Sequence, residues 1–222
     1  MAINLNEFSA RRHRLMQKMV EGIAIIPTSP ELIRNRDSHY PFRFDSYFYY
    51  LTAFKEPESV LFIIAGTEPK TVLFCRDKDM EREIWDGFRY GPAAAVAEFG
   101  IDAAYSIHQL DEIAPKLIAN QSKLFYSLGA DAAWDGRVTG WLNQLRSQAR
   151  MGVSAPDEVV DVRKHLDEMR LYKSDAELSV MRRSANIAAA AHQRAMEFTR
   201  PDMMEYQIEA EFLHEFYRQG AQ

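Results

Sequence analysis

Residues 35–59, NRDSHYPFRFDSYFYYLTAFKEPES, carry Tyr40, Phe42, Phe44, Tyr47, Phe48, Tyr49, Tyr50 and Phe54 in one short window. Arg36, Asp37, His39, Arg43 and Asp45 are threaded between them. An amphipathic helix does not need that density, and a half-exposed strand alternates more cleanly. Read from the residues alone, the window predicts an aromatic loop leading into a half-buried strand over 47–51. The reason is that aromatic side chains suit a pleated surface and aromatic runs are mostly core.

The flanking sequence supplies a sheet for that strand. Upstream, the pattern predicts a helix over 7–20, with Asn6 as N-cap and Gly22 as the stop. Phe8, Leu15, Met16 and Met19 share one face, and Arg11, Arg14 and Lys18 fall largely outside it. Residues 23–26 form a short buried strand ended by Pro27. Downstream, SVLFIIA (59–65) and KTVLFC (70–75) are joined by Gly66, Thr67, Glu68 and Pro69, a hairpin pattern. Both runs are continuously apolar, so the sheet is expected to be covered on both faces. Helices are expected over 79–85, over 92–99 with Pro92 in the first turn and Gly100 at the end, over 109–119 with Pro115 as a possible kink, and over 131–148. Trp134, Val138, Trp141, Leu142 and Leu145 form the stripe of the last. Strands are expected near 103–105 and 123–128. The fold class is therefore α/β, a mixed sheet flanked by helices.

MGVSAPD (151–157) is loop punctuation and the best boundary. Beyond it the pattern is purely helical, beginning with 159–169. Ser174 and Glu177 form a capping box that opens a helix to 198, and Asp202 is expected to cap another to 219, ended by Gly220. The division is thus an N-terminal domain over 1–157, a linker helix and junction over 158–173, and the start of a second domain over 174–222. That last section is expected to leave an apolar face uncovered, including Leu178, Met181, Ile187, Ile208 and Phe212, with association or disorder beyond about residue 175 as the consequence.

Composition excludes several classes. Of 222 residues, 47% are hydrophobic and 27% charged, and the formal net charge is −5 with both signs interspersed. That argues against nucleic acid as a partner, because phosphate binding wants a basic face. No apolar run approaches a membrane span. The first residues lack the apolar core of a secretory signal, and Glu7 and Glu21 speak against a transit peptide, so a folded first helix is the better reading. Cys75 is the single cysteine, at the end of an apolar run. It predicts an inert buried thiol and a reducing, cytoplasmic compartment.

Little else points to chemistry within the chain. Glu211 and His214 share a helical face, but di-metal bundles need that unit twice, and His192 lacks the matching glutamate. No nucleophile elbow and no phosphate-binding glycine loop occurs. The remaining feature is residues 76–92, RDKDMEREIWDGFRYGP. A lone tryptophan is commonly core, yet Trp85 sits among Glu83, Asp86, Phe88 and Arg89 on a glycine-bounded turn. That setting favours an exposed or interfacial role.

Three stretches together resemble the aminopeptidase P and prolidase family. The first is Arg36-x-x-x-Tyr40-Pro41-x-Arg43-x-x-Ser46-x-Phe48-x-Tyr50-Leu51-Thr52 with Phe54 and Glu56-Pro57-Glu58. The second is Glu83-Ile84-Trp85-x-Gly87. The third, in 163–192, is the Met169-Arg170-x-x-Lys173-Ser174 junction and the helix after it. Two departures are Ala53 and Asp202, where the family often has glycine. The resemblance implies an N-terminal α/β domain followed by the opening helices of a pita-bread catalytic domain. It implies chemistry at two divalent metals, commonly manganese, held by two aspartates, a histidine and two glutamates, with hydrolysis of the bond before proline. None of those ligands has a counterpart here. The chain alone is therefore expected to bind no metal and to be inactive, the N-terminal half of an Xaa-Pro aminopeptidase from a shortened gene or product. The resemblance further implies a homo-oligomer, proline-containing peptides as substrates of the longer protein, and Trp85 as a substrate-binding residue supplied in trans to a neighbouring subunit. A prolidase-type dipeptidase half, or a non-catalytic interaction module, remains open.

Overall fold

The apolar runs become strands of one twisted sheet. A computed structural model describes residues 4–221, so the first residues of the N-terminal leader reading and the terminal Gln222 lie outside the described residues. In chain order the elements are α1 (Leu5–Met19), β1 (Gly22–Pro27), β2 (Ile33–Asn35), β3 (Ser38–His39), α2 (Ser46–Thr52), β4 (Val60–Ala65), β5 (Lys70–Cys75), α3 (Glu83–Asp86), α4 (Gly91–Phe99), β6 (Ala103–Ser106), α5 (Leu110–Ile118), β7 (Lys123–Phe125), α6 (Ala132–Ser147), β8 (Glu158–Val160), α7 (Arg163–Leu171), α8 (Asp175–Phe198) and α9 (Glu205–Arg218). One compact unit spans Asn4–Met169 and a second runs from Arg170 onward.

In the first unit the strand order is β6-β5-β4-β1-β7-β8. The β4–β5 and β1–β4 pairs are antiparallel, whereas β5–β6, β1–β7 and β7–β8 are parallel. β4 and β5 are the expected hairpin, closed by residues 66–69. Because side chains alternate along a strand, neighbouring residues enter opposite cores. Ala24, Leu61, Ile63, Leu73 and Cys75 meet Leu15 of α1, Phe48 of α2, Ala95 of α4 and Leu166 of α7. Ile23, Ile25, Phe62, Val72 and Phe74 meet Leu110 of α5 and Trp141 of α6. Both faces are covered, which is why the strands read as continuous apolar runs. Each such leucine, isoleucine or phenylalanine contributes about 2 kcal/mol through burial.

Several sequence expectations are corrected here. Residues 47–51 lie in the helix α2, not in a strand. Asp45 is its N-cap and accepts from the Tyr47 and Phe48 backbone N–H groups, each at 2.8 Å. Ala53 stops it in the left-handed conformation, φ 60 and ψ 0. Consecutive aromatics carry neither period, so the cap and the stop decide the outcome. Asn4 rather than Asn6 caps α1. Arg11 is buried rather than outside the apolar face, because its guanidinium donates to the Tyr50 carbonyl. Residues 158–160 form a parallel edge strand before α7 rather than helix. The charged helix expected over 79–85 contracts to a turn followed by α3.

In the second unit the Ser174–Glu177 capping box opens α8 as expected. Asp202 does not cap α9; it sits at φ 66, and Met204 occupies the N-cap position while the Gln207 side chain accepts from the Met204 N–H at 2.9 Å. The apolar face expected to be open is only partly so. Ile187 is buried, Leu178, Ile208 and Phe212 are half-buried, and Met181 is exposed. α8 and α9 form an antiparallel hairpin whose His192 and Phe212 rings meet edge to face at 4.9 Å.

Candidate functional site

The strand β5 delivers the chain to a segment whose apolar side chains point outward. Met80, Ile84, Trp85 and Phe88 are all exposed, and Trp85 is 86% accessible. A four-residue helix cannot hold itself in water. Here polar cross-links hold it. Lys78 Nζ donates to Arg89 O at 2.9 Å, forms an ion pair with Glu83 at 2.6 Å, and lies 3.9 Å from the Phe88 ring centroid. Glu83 Oε1 also accepts from the Arg89 backbone N–H at 3.0 Å. The Lys78 ammonium and the Arg89 amide together hold the Glu83 carboxyl below its ordinary range. Arg89 pairs with Asp86 at 2.7 Å. Asp79 accepts from the Glu81 and Arg82 N–H groups and is likewise shifted down, chiefly by the Arg82 amide.

The neck of this loop is tight. A Cβ at Gly91, whose φ is 72, would lie 3.0 Å from the Lys78 backbone nitrogen. Beyond the neck Tyr90 anchors the segment. Its backbone N–H donates to Glu56 Oε1 at 2.6 Å, and its ring packs edge to face on Phe88 and Phe99. Residues 78–91 thus form a closed, braced loop that presents Trp85 to solvent. The glycine-bounded, charged setting of Trp85 was the legible signal. The bracing roles of Lys78, Glu83 and Arg89 were missed, because no regular spacing links them.

The aromatic window contributes differently. Asp45 is a cap, and Phe44 stacks on Tyr49 at 4.3 Å. His39, Phe42 and Glu56 face a concavity of about 490 Å³ shared with Arg76, Phe88 and Arg89. Cys75 is buried, and burial pushes its thiol up to about 12, so it is not a nucleophile. Glu211 pairs with Arg194, and His214 is exposed. Among the described residues, no three His, Cys, Asp or Glu side chains converge in a way that fits a metal ion. No described helix is long and apolar enough to cross a membrane.

Known proteins are similar to this chain in sequence and fold. The profile "Metallopeptidase family M24" matches residues 179–222. The profile "Aminopeptidase P, N-terminal domain" matches residues 8–126. The Xaa-Pro aminopeptidase of Escherichia coli K12 is 40% identical over 222 residues, covering 99% of this chain and 50% of that protein. The aminopeptidase PepP structure from Pseudomonas aeruginosa superposes with a TM-score of 0.96 at 45% identity, over 99% of this chain and 50% of that one. The low-pH form of E. coli aminopeptidase P gives 0.96 at 40%, over 99% and 51%. The chain belongs to the aminopeptidase P family. It spans about half the length of the relatives it matches.

Proposed function

We propose that this chain is the N-terminal half of a metal-dependent Xaa-Pro aminopeptidase, which removes the residue preceding proline. Its own part is oligomer contact and control of access to the site, with Trp85 reaching a neighbouring subunit's substrate pocket. The observation that carries this reading is Trp85 held 86% exposed on a loop braced from within. A large ring kept rigid in water loses little further entropy when it meets a partner. The metal ligands are proposed to lie in the portion of the longer relatives that this chain does not span, with manganese as the ion. The working compartment is proposed as cytoplasmic, with no nucleic-acid or membrane partner.

Two measurements test this. The chain alone, supplied with Mn²⁺, is expected to leave an Xaa-Pro peptide intact; cleavage, or tight binding of two manganese ions, would refute the reading. Joined to the second half of the E. coli enzyme, the Trp85→Ala form should lose activity. Mixing it with a form whose metal site is dead but whose Trp85 is intact should restore part of that activity. Failure to complement would remove the in-trans role.

A further inference from the structure

The concavity beside the braced loop holds two arginines with unmet donors. Arg76 leaves the end of β5 with its side chain 10% exposed. Its guanidinium has five N–H donors but makes one hydrogen bond, a 3.5 Å contact to Glu56 Oε2, and its Nε is buried without a partner. The Arg89 guanidinium makes one bond, to Asp86, and its Nε is buried without a partner as well. Glu56 forms an ion pair with Arg76 only at 3.5 Å, while its other oxygen accepts from the Tyr90 N–H at 2.6 Å. A buried cation held by one contact at the limit of hydrogen-bond length is an expensive arrangement, and a planar oxyanion is the partner a guanidinium fork fits best.

We propose that this concavity binds a small organic carboxylate, seated on Arg76 with its apolar part against Phe42, Phe88 and Tyr90. The walls choose among oxyanions. Three aromatic rings line the cavity, and the carboxylates of Glu31, Glu56, Glu58 and Asp86 join it, with Lys55 as the cation beside the two arginines. Acidic groups beside the site repel a doubly charged phosphate more than a monoanion, and the rings favour an organic group over a hydrated ion. The site lies wholly within the first unit and does not depend on the peptidase reading.

The test uses the whole chain, observing arginine Nε–H and the Tyr90 backbone amide by ¹H–¹⁵N NMR at constant ionic strength. The probes are acetate, phenylacetate and inorganic phosphate. Both carboxylates should give saturable shifts, with phenylacetate tighter by about tenfold for its buried ring. Arg76→Gln should weaken phenylacetate by about tenfold or more, the loss of a charged hydrogen bond. Glu56→Gln should tighten it, since the competing charge is removed while the amide oxygen still accepts from Tyr90. If Arg76→Gln does not fold, the parent titration and Glu56→Gln decide. The proposal fails if phenylacetate does not saturate by about 50 mM, if folded Arg76→Gln or Glu56→Gln binds as the parent does, or if phosphate binds more tightly than either carboxylate.

Discussion

At the scale of single residues, the two departures from the family pattern turn out to be one phenomenon. Ala53 lies at φ 60 and Asp202 at φ 66. Both are left-handed positions, where a Cβ crowds the following carbonyl at a cost of about 1–2 kcal/mol. Glycine avoids that cost but enlarges the unfolded ensemble, which offsets part of the gain. Ala53→Gly should therefore stabilise the chain by about 0.5–1 kcal/mol. Asp202→Gly should gain less, because a short polar side chain tolerates this conformation better. Urea unfolding checks both: the midpoint should rise with an unchanged slope, and a fall at Ala53 would mean that its packing outweighs the strain. The sequence resemblance marked these two positions, but aspartate at 202 was read as a cap, since composition cannot report a dihedral angle. Trp85 was legible because charge and glycine surround it. Its braces, and the Arg76–Glu56 pair, were not, because they depend on which loops the sheet brings side by side.

At the scale of elements, legibility followed how local the deciding interactions are. The β4–β5 hairpin was readable because its two apolar runs and its turn are contiguous. α2 was not, because its consecutive aromatics carry neither period and only its cap and stop mark it, while a tie from α1, far away in sequence, adds to them. Arg12 is 1% exposed. It donates to Leu51 O at 2.9 Å in the last turn of α2, and to Phe99 O at 3.2 Å and Gly100 O at 2.5 Å at the end of α4. Two helix C-termini, each with orphan carbonyls and a partial negative charge, converge on one guanidinium. Burial lowers the Arg12 pKa, partly offset by Asp102. Arg12→Met removes the donors and strands three carbonyls, so we expect a loss of about 3 kcal/mol or more. Arg12→Lys keeps the charge but not the fork, and should fall between. Thermal unfolding followed by circular dichroism orders the three proteins. Equal midpoints for Arg12→Met and the parent would show that Arg12 does not tie the helices together.

At the scale of the whole molecule, the two units have unequal means of stabilising themselves. The first encloses its sheet between two apolar layers, with residues such as Phe48, Leu61 and Phe62 fully buried. In the second, the buried side chains of α8 are Ile187, Ala191 and Ala195, and the buried residue of α9 is Glu215. Glu215 is held by Arg218 at 2.6 Å and Gln219, and Arg218 chiefly keeps its carboxyl below the ordinary range. One isoleucine and two alanines bury far less apolar area than a sheet core, and a helical hairpin that short of core is marginal. Tyr206, Leu213 and Tyr217 meanwhile remain exposed on α9. Amide hydrogen exchange should therefore separate the units. The central amides of β1, β4 and β5 should exchange only through global unfolding, protected by about 5–15 kcal/mol. Those of α8 and α9 should open at a small fraction of that and respond weakly to core substitutions in the sheet. Addition of the second half of the E. coli enzyme as a separate chain should raise protection in α8 and α9 while leaving the sheet unchanged, if that half covers their exposed side chains. Equal protection across both units in the isolated chain would mean that the helical hairpin already has the support it needs.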